Sequence, residues 1–158
     1  MRFKVHFLLG IIFIILLYFL FYPIISLFGL LVIFLSSFLI DIDHYFYYIY
    51  KKRDFSLIRA YKWYMTTMHR FCSLPPEKQK KLYIGFYIFH GIEILIILFL
   101  LGFYVSKIFI FVLIGFFFHL STDLISEIIF GQRIDKIFLF QNLLAMRKLT
   151  NFEKIDFI

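Results

Sequence analysis

Residues 34 to 50 read FLSSFLIDIDHYFYYIY, and they set Asp41, Asp43 and His44 close together in chain that is otherwise apolar and aromatic. Two later stretches have the same character. FHGIE carries His90 and Glu93 at a spacing of three, and HLSTDLISE carries His119 and Asp123 at a spacing of four, with Glu127 one turn further on. On a helix either spacing puts both side chains on one face, so each pair can offer two ligand atoms to one ion. Imidazoles with carboxylates form a hard nitrogen and oxygen set, suited to zinc first, with manganese and iron as alternatives, and to two ions bridged by a carboxylate. A divalent ion turns repulsion among the carboxylates into attraction and can activate water against an ester or phosphoester.

The background makes these groups conspicuous. Hydrophobic residues are 63% of the chain, with 25 Phe and 11 Tyr, and the mean hydropathy is +0.90. A soluble domain of 158 residues cannot hide that much apolar surface, so the composition predicts an integral membrane protein. In such a protein a buried unpaired ionisable group costs several kcal/mol, which makes each one a functional candidate. The N-terminal apolar run has no small-residue cleavage site and is expected to be retained. Cys72 is the sole cysteine, which excludes an intramolecular disulfide and a thiolate cluster.

The elements expected to position these residues make an all-α, four-helix transmembrane bundle over residues 1–158, read as one domain. Phe7 to Ile40 has no charged residue and is too long for one crossing of about 20 residues. It predicts a hairpin bending at Pro23, with spans at about 5–22 and 24–48. Further spans are expected at about 82–101 and 108–130. Between the second and third lies a basic loop, 51–81, in which Pro75 and Pro76 separate an amphipathic surface helix from a short linker. A basic tail occupies 131–158. With a cytoplasmic N-terminus, the inner side would collect Arg2 and Lys4, nine basic residues from Lys51 to Lys81 and five after Gly131, leaving Lys107 alone outside. Both termini are therefore expected to be cytoplasmic. The net charge of +7 then needs no nucleic acid; it is accounted for by topology and attraction to anionic lipid headgroups.

At about 1.5 Å per residue, Asp41 lies about 15 Å in from Lys51, His90 about 13 Å in from Lys81 and Asp123 about 12 Å in from Gly131. Similar depth predicts one polar centre of Asp41, Asp43, His44, His90, Glu93, His119 and Asp123. On a regular helix Asp41 and His44 share a face whereas Asp43 points away, so either the helix is irregular there or one Asp orients a histidine from behind. Asp43, His44, His119 and Asp123 are the leading ligands, Asp41 and His90 further ones, and Glu93 the candidate general base.

The DIDH of 41 to 44, a later embedded histidine and the closing HLSTD resemble the predicted membrane-bound metal-dependent hydrolases, small multi-span proteins. The likeness covers roughly residues 30 to 130 and implies metal-dependent hydrolysis. Better-known members follow an HR pair closely with a T-H-S element. Here MHR at 68 to 70 has no such successor and FHGIE stands instead, as in a divergent branch.

Each group also has a plainer reading. Asp41, Asp43 and His44 could end a helix at the interface, and either His and acid pair could be an isolated hydrogen bond. Glu127 is expected to reach the interface or pair with Arg133, His6 to be interfacial, and His69 and Arg70 to face solvent or phosphate headgroups. Tyr45, Phe46, Tyr47, Tyr48 and Tyr50 read as an interfacial belt, with Tyr48 also able to donate to a ligand. Glycine-rich phosphate loops, nucleophile elbows and H-E-x-x-H motifs are missing. The competing function is a non-catalytic divalent-ion-binding protein or small transporter built on the same cluster.

Overall fold

A computed structural model of the chain describes residues 3–83, 85, 87–130, 138–140, 143–144 and 150–151, and they are mostly helical. In order they form α1 (Phe3–Phe21), α2 (Leu27–Leu39), α3 (Ile42–Lys52), α4 (Leu57–Cys72), α5 (Pro76–Gln79), β1 (Leu82–Tyr83), α6 (Ile92–Tyr104), α7 (Ile108–Ile129) and β2 (Thr150–Asn151). Three helical runs, Lys4–Phe21, Leu27–Lys52 and Ile108–Ile129, are long and apolar enough to cross a membrane, which fits an integral membrane protein. The chain divides into two compact units, Met1–Ile40 with Ile92–Ser126, and Asp41–Gly91 with Glu127–Ile158.

The first unit is built on α1, α2, α6 and most of α7. Pro23 cannot continue a helix, α1 stops at Phe21, and Ser26 starts α2 by accepting the Gly29 N–H at 3.1 Å. Leu17, Leu30 and Ile33 pack with Phe13, Phe111 and Ile114, and Phe13 stacks on Phe118 at 4.0 Å. Lipid is as apolar as these side chains, so close backbone approach rather than escape from water has to hold the helices together. Gly115 supplies it. A Cβ there would meet the Ser36 hydroxyl, the Ile33 carbonyl at 2.5 Å and the Ser37 nitrogen at 2.9 Å, so α7 lies directly on the α2 backbone.

The second unit is organised by the connection between α3 and α4. Arg53 takes a left-handed conformation at the end of α3 (φ 55°), and Ser56 caps α4. Between them Asp54 accepts two hydrogen bonds from Arg59, at 2.6 and 2.7 Å, one from the Ser56 N–H and one from the Tyr48 hydroxyl. The Arg59 guanidinium, with help from Tyr48 and Ser56, holds the Asp54 carboxyl well below the usual carboxylate range, and the carboxylate raises Arg59 in return. Trp63 lies against Tyr47 and Tyr48, with Lys52 over its ring. The expected helix of the 51–81 loop is thus α4, and Pro75 and Pro76 do separate it from the short α5. Past them, Leu82 packs on Phe71 and Leu74, and β1 pairs in parallel with β2 through Leu82 with Thr150 and Tyr83 with Asn151.

The expected third span is corrected. Residues 82–91 are not helical where described; the helix begins at Ile92 and has 13 residues, a length of about 20 Å against about 30 Å of hydrocarbon. The physical reason is a competing partner: the Asp43 carboxylate takes the Phe89 N–H at 3.2 Å, so that group is not spent on a helical turn, and Gly91 comes two residues later. His90 therefore precedes α6 and does not share a helical face with Glu93. Most of the expected basic tail, 131–158, lies outside the described residues.

Candidate metal centres

The second unit gathers Asp41, Asp43, His44 and His90. Helical pairing lapses between α2 and α3, with Asp41 at the N-cap of α3 and its carbonyl accepting the His44 N–H at 3.0 Å. This places His44 Nε2 3.1 Å and His90 Nε2 3.5 Å from the same oxygen, Asp41 Oδ1. One ligand atom each from Asp41, His44 and His90 lies within 4.8 Å of the others. Asp43 is buried behind them, its Oδ2 2.9 Å from His90 Nδ1. A carboxylate oxygen accepts, so Nδ1 carries the proton and the Nε2 lone pair is turned toward Asp41. Both alternatives raised by the DIDH spacing are thus realised: the helix is interrupted and one Asp orients a histidine. Tyr87 and Tyr64 pack against His44 at ring separations of 4.1 and 4.6 Å, which restricts its swing. Asp43 Oδ1 and His44 Nδ1 are buried without a hydrogen bond, 3.9 Å apart.

The first unit gathers His6, His119 and Asp123 from α1 and α7. His119 is fully buried (0% exposed), and its Nδ1 lies 2.8 Å from the Ser37 carbonyl oxygen on α2. His6 is 2% exposed and stacks on His119 at 4.0 Å, 15° from parallel. Its Nε2 is 3.1 Å from Asp123 Oδ1, while His119 Nε2 is 3.6 Å from Asp123 Oδ2. The four-residue spacing on α7 does put His119 and Asp123 on one face, as the pattern predicts.

These buried His and Asp groups could hold metal ions. No family model, curated protein or solved structure matches the chain. The likeness of DIDH and HLSTD to the membrane-bound hydrolases therefore stands as a likeness of short motifs, and no family is assigned.

The remaining candidates separate clearly. Glu93 is half-buried on the first turn of α6, in the first unit. Glu127 is buried at 6% exposure, and the Arg133 expected to pair with it lies outside the described residues. His69 and Arg70 are exposed, as expected for groups that face solvent or headgroups. The Tyr48 hydroxyl is committed to Asp54, and Tyr45 donates to the Phe55 carbonyl at 2.8 Å, so both close the connection between α3 and α4. His6 is the functional candidate that the spacing argument missed. Its partners are more than a hundred positions away, and the available signal was an imidazole inside an apolar helix, on the face that also buries Gly10 and Leu17.

Proposed function

We propose that the chain is a membrane-embedded, metal-dependent hydrolase acting on an ester or phosphoester of a lipid or lipid-linked substrate at the cytoplasmic leaflet. The observation that carries this reading is the Asp43 to His90 hydrogen bond behind an Asp41, His44 and His90 ligand set, because a carboxylate that holds the far nitrogen of a ligating histidine fixes its tautomer and raises its basicity. The two nitrogens and one oxygen fit zinc, with manganese or iron as alternatives, and leave coordination positions for substrate and water. Bound there, the ion would supply Lewis acidity toward a phosphoryl or carbonyl oxygen.

The chain's own groups have distinct tasks in this reading. Asp43 keeps the His90 Nδ1 proton in place, and Tyr64 and Tyr87 keep the His44 ring oriented. Glu93, the expected general base, belongs to the first unit and is assigned no proton transfer at this centre. The water oxygen forms the new bond to phosphorus or carbon as the bond to the ester oxygen breaks, and the proton lost by the water passes through solvent to that oxygen, which leaves as an alcohol or phosphate. The basic residues of 51–81 offer an anionic headgroup a place to sit, with Lys62 and Arg70 exposed along α4.

Elemental analysis of detergent-purified protein should find a bound divalent ion that His44→Ala loses. Hydrolysis of a panel of phospholipids and polyprenyl phosphates should then depend on that ion and stop with chelator. Metal-loaded protein that turns over none of the panel but moves metal across liposomes would replace the hydrolase with an ion-binding protein or transporter. The four-span topology with both termini cytoplasmic has its own test in Cys72, the sole thiol, which is exposed. An impermeant thiol reagent should modify it only after the membrane is opened; modification in sealed cells would overturn the orientation.

A further inference from the structure

We infer that His6, His119 and Asp123 form a second divalent-cation site, with α1 contributing a ligand rather than serving only as an anchor. The inference goes beyond the proposed hydrolase and stands on hydrogen-bond geometry within the first unit. The Ser37 carbonyl can only accept, so His119 Nδ1, 2.8 Å away, must carry a proton, which leaves Nε2, 3.6 Å from Asp123 Oδ2, as the ring atom able to ligate. Thr122 completes the logic for His6. Its hydroxyl donates to the His119 carbonyl at 2.8 Å, which leaves its oxygen to accept from His6 Nδ1 at 3.3 Å. His6 Nε2, 3.1 Å from Asp123 Oδ1, is then likewise the ring atom able to ligate.

Two imidazole nitrogens and a carboxylate thus converge, all three side chains buried, with the rings stacked so that their Nε2 atoms address the two oxygens of one carboxylate. A divalent ion with nitrogen and oxygen ligands would meet all three at once and would draw the carboxylate and the imidazoles together. The donor set selects zinc-like over calcium-like chemistry, because two of its three atoms are imidazole nitrogens.

The test is metal stoichiometry, which needs no substrate. Purified protein loaded with zinc and desalted should retain about two ions per chain, and His6→Ala or Asp123→Asn should retain about one. Titration with cobalt should show two components in the visible spectrum, of which His6→Ala removes one. His6→Gln keeps bulk and hydrogen-bonding capacity near Thr122 but replaces a strong ligand with a weak one; it should lose the same ion while circular dichroism and elution volume stay unchanged. His44 belongs only to the Asp41, His44 and His90 set, so His44→Ala should lose that set's ion and keep this one. Retention of a single ion by wild-type protein, undiminished in His6→Gln, would overturn the site and leave His6 and Asp123 as an ion pair sharing a proton. Two ions in wild-type protein without hydrolysis would overturn the proposed activity alone.

Discussion

The two centres share a plan and differ in what stands behind it. In each, the Nε2 atoms of two histidines address one aspartate, Asp41 in the second unit and Asp123 in the first. Behind the rings the chemistry diverges. His119 and His6 are fixed by neutral groups, the Ser37 carbonyl and the Thr122 hydroxyl, whereas His90 is fixed by the Asp43 carboxylate and His44 by the aromatic rings of Tyr64 and Tyr87. A carboxylate partner makes an imidazole more basic and pulls more strongly on its Nδ1 proton than a carbonyl does. A divalent ion bound in the second unit should therefore be held more tightly than one bound in the first. The local backbone differs too: His119 and Asp123 sit on one uninterrupted helix, while Asp41 and His90 lie where helical pairing lapses.

The largest expected effect tests the charge difference. Asp43→Asn keeps an oxygen able to accept from Phe89 and His90 but removes the charge, and it should weaken zinc at the second unit's centre by about 10- to 100-fold. Thr122→Val removes a neutral partner and should weaken the first unit's ion by a smaller factor. Competition against a calibrated chelator gives both values. Equal losses would mean that charge behind the ring is not what distinguishes the two centres.

A smaller effect is expected from packing, and it should fall on one unit only. Ala at position 115 would drive a methyl group into the Ile33 carbonyl and the Ser37 nitrogen, which are backbone atoms and cannot swing aside. Overpacking of this kind costs about 1–3 kcal/mol. It would also displace the Ser37 carbonyl from His119 Nδ1, so Gly115→Ala should lower the unfolding temperature and weaken the first unit's ion while sparing the other. Unchanged thermal unfolding in detergent would contradict the close approach of α7 to α2.

Legibility in the amino-acid pattern divides along similar lines. The α1 and α2 hairpin was legible because Pro23 must interrupt a helix and acts locally. His119 with Asp123 was legible because α7 keeps its period. His90 was found as a residue but given the wrong backbone, since the apolar run from Leu82 reads as helix until Asp43, 46 positions before Phe89, claims the Phe89 N–H. His6 has no local partner at helical spacing, so only tertiary structure could join it to Thr122 and Asp123. Local chemistry was readable; side chains that borrow backbone donors from distant segments were not.

The smallest effect concerns the support of the second unit rather than its ligands. Asp54 carries the connection from α3 to α4, and its pKa is depressed mainly by the Arg59 guanidinium, then by Tyr48 and the Ser56 N–H. A carboxyl whose folded pKa lies below its unfolded value contributes stability that is fully present above the unfolded value, about 3.9, and is lost as the pH falls through the folded one. The connection should therefore hold at neutral pH and loosen in acid, below about pH 4. Both partners reach solvent, so the contribution is screened by salt and modest in size. Trp63, the sole tryptophan, rests against Tyr48 and reports the junction by fluorescence. Wild-type protein should show an acid transition that moderate salt shifts toward higher pH, and Asp54→Asn should have a flatter profile with the neutral-pH signal already displaced. The first unit has no tryptophan and should be silent in this measurement, so an acid transition that Asp54→Asn leaves intact would trace instead to other carboxylates of the second unit.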